Sequence, residues 1–348
     1  MCGVYIHIPF CKSRCQYCDF FSTTELPRRN EYVNALLAEW EERQIASNKI
    51  STIYFGGGTP SLLDSEDIAR ILNAIISYHI TDKQQCEIGH TKEITLEANP
   101  GDLTWEKLDY LRHAGINRLS IGIQSFNDRL LKLIGRRHTV AQARQAVLLA
   151  QKAGFTNISI DLMYGLPTQT INEWIETIDE ALKLNVQHIS AYCLTYEENT
   201  PLYQRMINGE WDETDEDTEN AMNDVLCAKL RANGFEHYEV SNFALNGCRS
   251  QHNSSYWNNT PYIGLGAGAH SYDGNTRSWN IANLEEYISG ALAHNLHRDG
   301  ETLTDEQKRM EYIMLGMRTK EGIILDGKHI IPSEQDWHIL NKIIEQLI

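Results

Sequence analysis

The sequence predicts an α/β fold: a partial (β/α)6 barrel followed by a mainly helical C-terminal appendage. Three observations carry this. Short β-rich runs alternate with amphipathic helical patterns up to about residue 235, glycines stand where the helices should stop, and the alternation then fails. The strand-like runs are 4–8, 51–55, 93–97, 117–123, 156–161 and 187–194. The helical patterns lie near 30–46, 65–79, 104–114, 140–153, 171–184 and 216–233. Gly115, Gly154 and Gly234 follow helices at capping positions, while Asp64 or Ser65, and Thr104, suit N-caps. Successive βα units imply a parallel sheet. Eight units close a barrel, so six leave it open. Residues 1–235 are expected to form the barrel domain and 236–348 a second domain. The stretch 237–300 is rich in Gly, Asn, Tyr and Trp. Beyond it, a mostly helical segment is expected from Thr304 through Leu347, with Ile313, Met314 and Met317 on one packed side.

The length of 348 residues suits a barrel with an appendage, and 42% hydrophobic residues suffice for a large core. A formal net charge of −16 argues against a nucleic-acid surface, which needs a basic stripe. No apolar run approaches the length of a membrane span, and no charged-then-apolar leader precedes the first motif. Eight cysteines are present, three of them close together and five (Cys2, Cys86, Cys193, Cys227 and Cys248) scattered. That usage reads as reduced thiols and a cytoplasmic location.

Chemistry is expected where strands end. After the first strand come Cys11, Cys15 and Cys18 in a Cx3Cx2C loop. Three thiolates suit a [4Fe-4S] cluster with one iron open to an outside ligand. Three reduced cysteines or a zinc site are the alternatives. After the second strand comes Gly56-Gly57-Gly58-Thr59-Pro60, where missing side chains let backbone approach a ligand. Glu97 ends the third strand, either facing a ribose or amine or forming a structural ion pair. Gln124 ends the fourth and offers both a donor and an acceptor. Arg136 and Arg137 follow, as a carboxylate fork or a solvated basic loop. Asp161 puts another acid at the mouth of the fifth.

The cysteine spacing, with Tyr17 before the last cysteine, resembles the radical S-adenosylmethionine (SAM) superfamily. In that superfamily the amino and carboxylate groups of SAM chelate the open iron. The stretches YIHIPFC, CxYCDF, GGGTP, EANP, NRLSIGIQSF, DLMYGLPTQT and GLGAGAHSY resemble the group around oxygen-independent coproporphyrinogen III oxidase, from about residue 3 to 325. That resemblance implies a partial radical SAM barrel. It also places Tyr5 beside SAM and puts Tyr17, Gly57, Gly58 and Thr59 at its adenine and amino ends. Glu97, Gln124, Arg136 and Asp161 match SAM-binding positions, for one SAM or two.

Two departures separate the chain from the oxidases. Phe20 stands where they carry a further cysteine, and only ten residues precede Cys11. The stretch His252-Asn-Ser-Ser-Tyr256-Trp257 matches an HNxxYW motif of the heme-chaperone family HemW. Imidazole is a common axial ligand of heme iron. His252 is the candidate heme ligand, with a structural role as the alternative, and His270 is a second candidate. The resemblance implies a heme chaperone that holds the cluster, SAM and heme. It would pass heme to an acceptor such as a membrane respiratory enzyme, with a reductant protein as a possible electron source for the cluster. The alternative is an enzyme: oxidative decarboxylation of coproporphyrinogen. The chain is expected to stop short of the family's full C-terminal region, missing a final strand pair.

Overall fold

The computed structural model describes residues 2–43, 50–77, 91–333, 337 and 340–347. The ends of the helical patterns at 30–46 and 65–79, and Cys86, lie outside them. Six strands run in chain order: β1 (Cys2–Ile8), β2 (Ile50–Gly57), β3 (Glu93–Ala98), β4 (Arg118–Gln124), β5 (Ile158–Tyr164) and β6 (His188–Cys193). Between them lie α1 (Arg29–Arg43), α2 (Ser65–Ser77), α3 (Trp105–His113), α4 (Asp128–Leu133), α5 (Val140–Lys152) and α6 (Ile171–Lys183). Each strand pairs parallel with the next, as the βα alternation requires. Thr104 caps α3 by accepting from the Lys107 amide at 3.2 Å, and α2 begins at Ser65.

The rest of the chain extends this sheet at both ends. After α7 (Pro201–Ile207) and α8 (Glu216–Ala232), strands β7 (Glu236–Glu239) and β8 (Asn242–Ala244) pair beyond β6. Helix α9 (Gln251–Trp257) leads to β9 (Tyr262–Leu265), which lies parallel to β1. Antiparallel β10 (His270–Tyr272), β11 (Thr276–Asn280) and, after α10 (Leu284–Leu292), β12 (Arg298–Thr302) follow outward.

The last segment departs from the expected helical run. A hairpin, β13 (Ile323–Leu325) and β14 (Lys328–Ile330), separates α11 (Asp305–Gly316) from α12 (Leu340–Leu347). Asp326-Gly327 makes its turn, with φ of 51° and 75°, the positive pair that a tight hairpin prefers. Ile313 and Met317 pack with Ile323, Leu340 and Ile344, but Met314 is exposed. Among the described residues, no helix is long and apolar enough to cross a membrane.

Alternation along the barrel strands divides two faces. Ile94, Leu96, Leu119, Ile121, Ile158 and Ile160 pack outward into the core beneath the helices. Glu93, Thr95 and Glu97, Arg118 and Ser120, and Ser159 and Asp161 occupy the intervening inward positions. Burying a branched aliphatic side chain stabilises by about 1.5–3 kcal/mol, so the outer face supports the barrel and the lumen is left to polar groups.

Candidate functional site

The cysteine loop is clamped where it leaves the sheet. The Thr23 amide donates to the Pro9 carbonyl at 2.7 Å, and the Cys11 amide to the Thr23 carbonyl at 2.8 Å. Its middle is tied to the far wall. The Gln16 amide donates to the Ile134 carbonyl at 3.1 Å, and the Leu202 amide to the Gln16 carbonyl at 2.9 Å. Beneath the loop, His7 Nε2 lies 2.9 Å from the Phe21 carbonyl and His7 Nδ1 lies 3.1 Å from the Tyr5 hydroxyl. A carbonyl only accepts, so Nε2 carries the proton and Nδ1 accepts from Tyr5. Tyr5 therefore steadies the loop through His7, and it does not line the cavity above.

That cavity, about 650 Å³, opens at the C-terminal ends of the strands. It is lined by Cys11, Cys15, Cys18, Tyr17, Gly57, Gly58, Thr59, Glu97, Gln124, Arg136 and Asp161, among others. Of the site residues named from the sequence, Tyr5, His252 and His270 stand outside it. Cys11 Sγ lies 3.5 Å from Thr59 Oγ1, and Arg136 Nη1 donates to Cys15 Sγ at 3.4 Å. Burial pushes the Cys11 and Cys18 thiols up. Bound iron would hold them as thiolates regardless. Among the described residues, no three His, Cys, Asp or Glu side chains are gathered closely enough to hold a metal ion. Three soft donors on one tethered loop, facing one cavity, nevertheless form a donor set that fits an iron–sulfur cluster. Arg137 also borders the cavity, but its guanidinium pairs with Asp102 at 2.9 Å, leaving Arg136 as the inner cation.

The glycines are needed for close packing as well as for ligand approach. A Cβ on Gly57, at φ 106°, would sit 2.6 Å from the His7 ring, and one on Gly58 would lie 2.7 Å from the Pro9 backbone. Both glycines therefore fit under the cysteine loop. Gly122 leaves room for Arg136 and Gln124, whose side-chain nitrogens lie 3.0 and 3.1 Å from where its Cβ would be. Gln124 itself has φ 68° at a register shift between β4 and β5. Left-handed backbone in a non-glycine residue costs of order 1–3 kcal/mol and concentrates at functional sites.

The lumen below holds Glu97 and Asp161, named from the sequence, together with Arg118, which was not singled out although strand alternation marks it. Glu97 accepts from the Tyr54 hydroxyl at 2.8 Å and the Gly57 amide at 3.2 Å. Burial nonetheless pushes its carboxyl up to about 7, with Asp161 adding repulsion. Burial also raises Asp161, which accepts from Ser120 Oγ at 3.1 Å. Arg118 is 1% exposed, and its Nε and Nη1 find no hydrogen-bond partner among the described residues.

His252 lies in this lumen and not on a porphyrin-accessible surface. It is fully buried. Its Nδ1 lies 2.8 Å from Thr52 Oγ1 and its Nε2 lies 2.9 Å from the Tyr256 hydroxyl. Its ring stacks on Tyr54 at 5.0 Å, and burial pushes its pKa down to about 3. Both nitrogens are occupied, so ligation of heme iron would require release of α9. His270, by contrast, is exposed at the start of β10.

The chain matches a family model described as the radical SAM superfamily over residues 5–181. It is 38% identical over 325 residues to the heme chaperone HemW of Lactococcus lactis, covering 93% of this chain and 83% of that one. It is also 38% identical over 328 residues to HemW of Bacillus subtilis, covering 93% and 85%. A Bos taurus relative, the mitochondrial radical S-adenosyl methionine domain-containing protein 1, is 34% identical over 336 residues, covering 92% and 74%. Among solved structures, coproporphyrinogen III oxidase (HemN) from Escherichia coli matches with a TM-score of 0.78 at 24% identity, covering 92% of this chain and 76% of that one. That likeness bears on the fold alone.

Proposed function

Because the chain belongs to the HemW family of the radical SAM superfamily, we propose that it is a heme chaperone that binds heme and delivers it to an acceptor protein. The observation that carries this reading is 38% identity to HemW across 93% of the chain. The cysteine loop over a polar cavity supports a [4Fe-4S] cluster and SAM alongside. Cys11, Cys15 and Cys18 would hold the cluster. When bound, the cluster supplies an electron carrier and an iron able to take the amino and carboxylate groups of SAM. Thr59 and Arg136 sit against the loop sulfurs. Arg136 suits a carboxylate, Glu97 and Asp161 suit an amine or ribose hydroxyls, and Gln124 suits either.

On this reading the barrel, residues 1–235, carries the cluster and SAM, and residues 236–348 form the C-terminal HemW-like domain. An exposed Phe20 at the cavity rim, 75% accessible, offers no further thiolate there. This favours a carrier over an oxidative decarboxylase. Reduced thiols and an iron–sulfur cluster point to the cytoplasm. The acceptor class proposed is a membrane respiratory enzyme that needs heme, with a reductant protein serving the cluster.

Anaerobic reconstitution followed by heme titration tests the proposal. Saturation near one heme per chain, and transfer to a heme-free acceptor, are expected. Absence of saturable heme, with protoporphyrinogen formed from coproporphyrinogen under reducing conditions, would replace the carrier with the enzyme.

A further inference from the structure

Glu97 and Asp161 are two acids that open onto one cavity without an ion-pair partner. They flank Ser120 across neighbouring strands, with Glu97 opposite Ser120 and Asp161 opposite Gly122. Both are partly exposed, onto the cavity that they line. Their donors are neutral: the Tyr54 hydroxyl and the Gly57 amide for Glu97, and Ser120 Oγ for Asp161. Among the described residues neither enters an ion pair. Burial raises both carboxyls, and Asp161 raises Glu97 further.

Below them lies Arg118, two residues before Ser120 on the same strand face and directly opposite Thr95. Arg118 Nε and Nη1 and Thr95 Oγ1 are buried without a hydrogen-bond partner among the described residues. Glu93 is engaged elsewhere, since its two oxygens accept from the Gln251 and His252 amides at 2.8 and 3.0 Å. A guanidinium keeps its proton in proteins, so the Arg118 charge acts upward and lowers both Glu97 and Asp161. Neighbouring rings add no charge. Burial pushes the phenols of Tyr5, Tyr54, Tyr192 and Tyr256 up. It pushes the imidazoles of His188 and His252 down. Arg136 also faces Asp161, but its guanidinium donates to Cys15 Sγ and the Gly122 carbonyl.

SAM sets a sulfonium and an ammonium against one carboxylate, a net positive charge. A cation in this cavity favours the ionised carboxyls, and by linkage the ionised carboxyls favour the cation equally. Ribose hydroxyls alone would ask for no such exchange.

We propose that Glu97 and Asp161 give up protons as the cavity takes up its cationic ligand, and that Arg118, acting through them, is the positioning residue that tunes this exchange. The proposal rests on the SAM reading of the cavity and adds what its floor does.

Calorimetric titration of SAM into the full cluster-loaded chain, in two buffers of different ionisation enthalpy, counts the protons released. With Glu97 at about 7, about half a proton or more per SAM is expected at about pH 6.5. Affinity is expected to rise with pH and level off above about pH 8. The infrared difference spectrum on SAM binding is expected to lose a protonated-carboxyl band, and Glu97→Gln to lose most of that change and of the proton count. Arg118→Met is expected to move the rise in affinity up by about one pH unit, and Arg118→Lys to hold it near wild type. A merely structural arginine would change stability and leave that profile in place. Arg118→Gln carries the same test if Arg118→Met does not fold. SAM bound with pH-independent affinity and no proton released, or a wild-type count from Glu97→Gln, overturns the exchange. A profile that loss of the Arg118 charge leaves unmoved overturns the part given to Arg118. A chain with full iron and sulfide that binds no SAM at any pH overturns the SAM reading, and the exchange with it.

Discussion

Replacing His252 by alanine should weaken the heme-free protein, because the ring is part of its interior. The substitution strands two buried hydroxyls, Thr52 Oγ1 and Tyr256 OH, now 2.8 and 2.9 Å from its nitrogens. It also ends the ring stack with Tyr54 at 5.0 Å. A buried polar group left unmet costs about 1–3 kcal/mol, and an aromatic pair contributes about 0.5–1.5 kcal/mol. Rotation of the two hydroxyls toward other partners recovers part of this, so the loss is about 2–6 kcal/mol. Unfolding entropy near 2.1 cal/mol/K per residue gives about 0.7 kcal/mol/K for this length, and so a Tm lower by about 3–8 °C. Calorimetry without heme or metal reads it directly. A Tm within about 1 °C of wild type would refute the structural account and return His252 to the list of free ligands.

Other expectations follow from the same geometry. Cys11→Ala, Cys15→Ala or Cys18→Ala should each abolish iron and sulfide retention after reconstitution, with little change in far-UV circular dichroism; iron retained at wild-type level would break the cluster assignment. Gly57→Ala, forced to φ 106° and against the His7 ring, should cost about 2–4 kcal/mol, seen as a lowered denaturant midpoint and impaired cluster loading. Stability should peak near mildly acidic pH. Glu97 and Glu239, both pushed up to about 7, stabilise fully below the ordinary carboxyl value and lose that contribution as pH rises through 7. His138 and His237, pushed down to about 4, and His252, to about 3, cost stability as pH falls below 6.5, where the unfolded rings take protons first. A Tm profile flat from pH 4 to 8, or one that Glu97→Gln does not flatten on its alkaline limb, would contradict these shifts.

The barrel was legible because its signals are local. The run 93–97 became Glu93–Ala98 and the helix expected at 140–153 became Val140–Lys152, since alternation, caps and terminal glycines each act within a few residues. The motif residues after each strand were also legible, because a strand's end dictates where its next side chains face. Legibility failed where a side chain's role depends on distant partners. Tyr5 and His7 form a relay under the cysteine loop that no spacing announces. His252 and Tyr256 lie i, i+4 on one helical turn, a contact that the sequence reading did not draw. Nor does spacing tell that this turn enters the lumen, which depends on Thr52 and Tyr54 of β2. The hairpin at Asp326-Gly327 was within reach, since that dipeptide between apolar runs is a turn signal.

The parallel pairing of β1 with β9 has a consequence for the order of assembly. The strand that carries the cysteine loop is made well before its outer neighbour, Tyr262–Leu265, which comes about 250 residues later. At roughly 5–20 residues per second, that interval is about 10–50 s of synthesis. Through it the β1 edge has no partner on that side, and the Gly266–Ala269 turn that packs against Phe21 does not yet exist. The thiols are therefore most open to metal delivery, and the edge most open to wrong pairing, before the chain is finished. The same residues that complete the sheet close both openings at once.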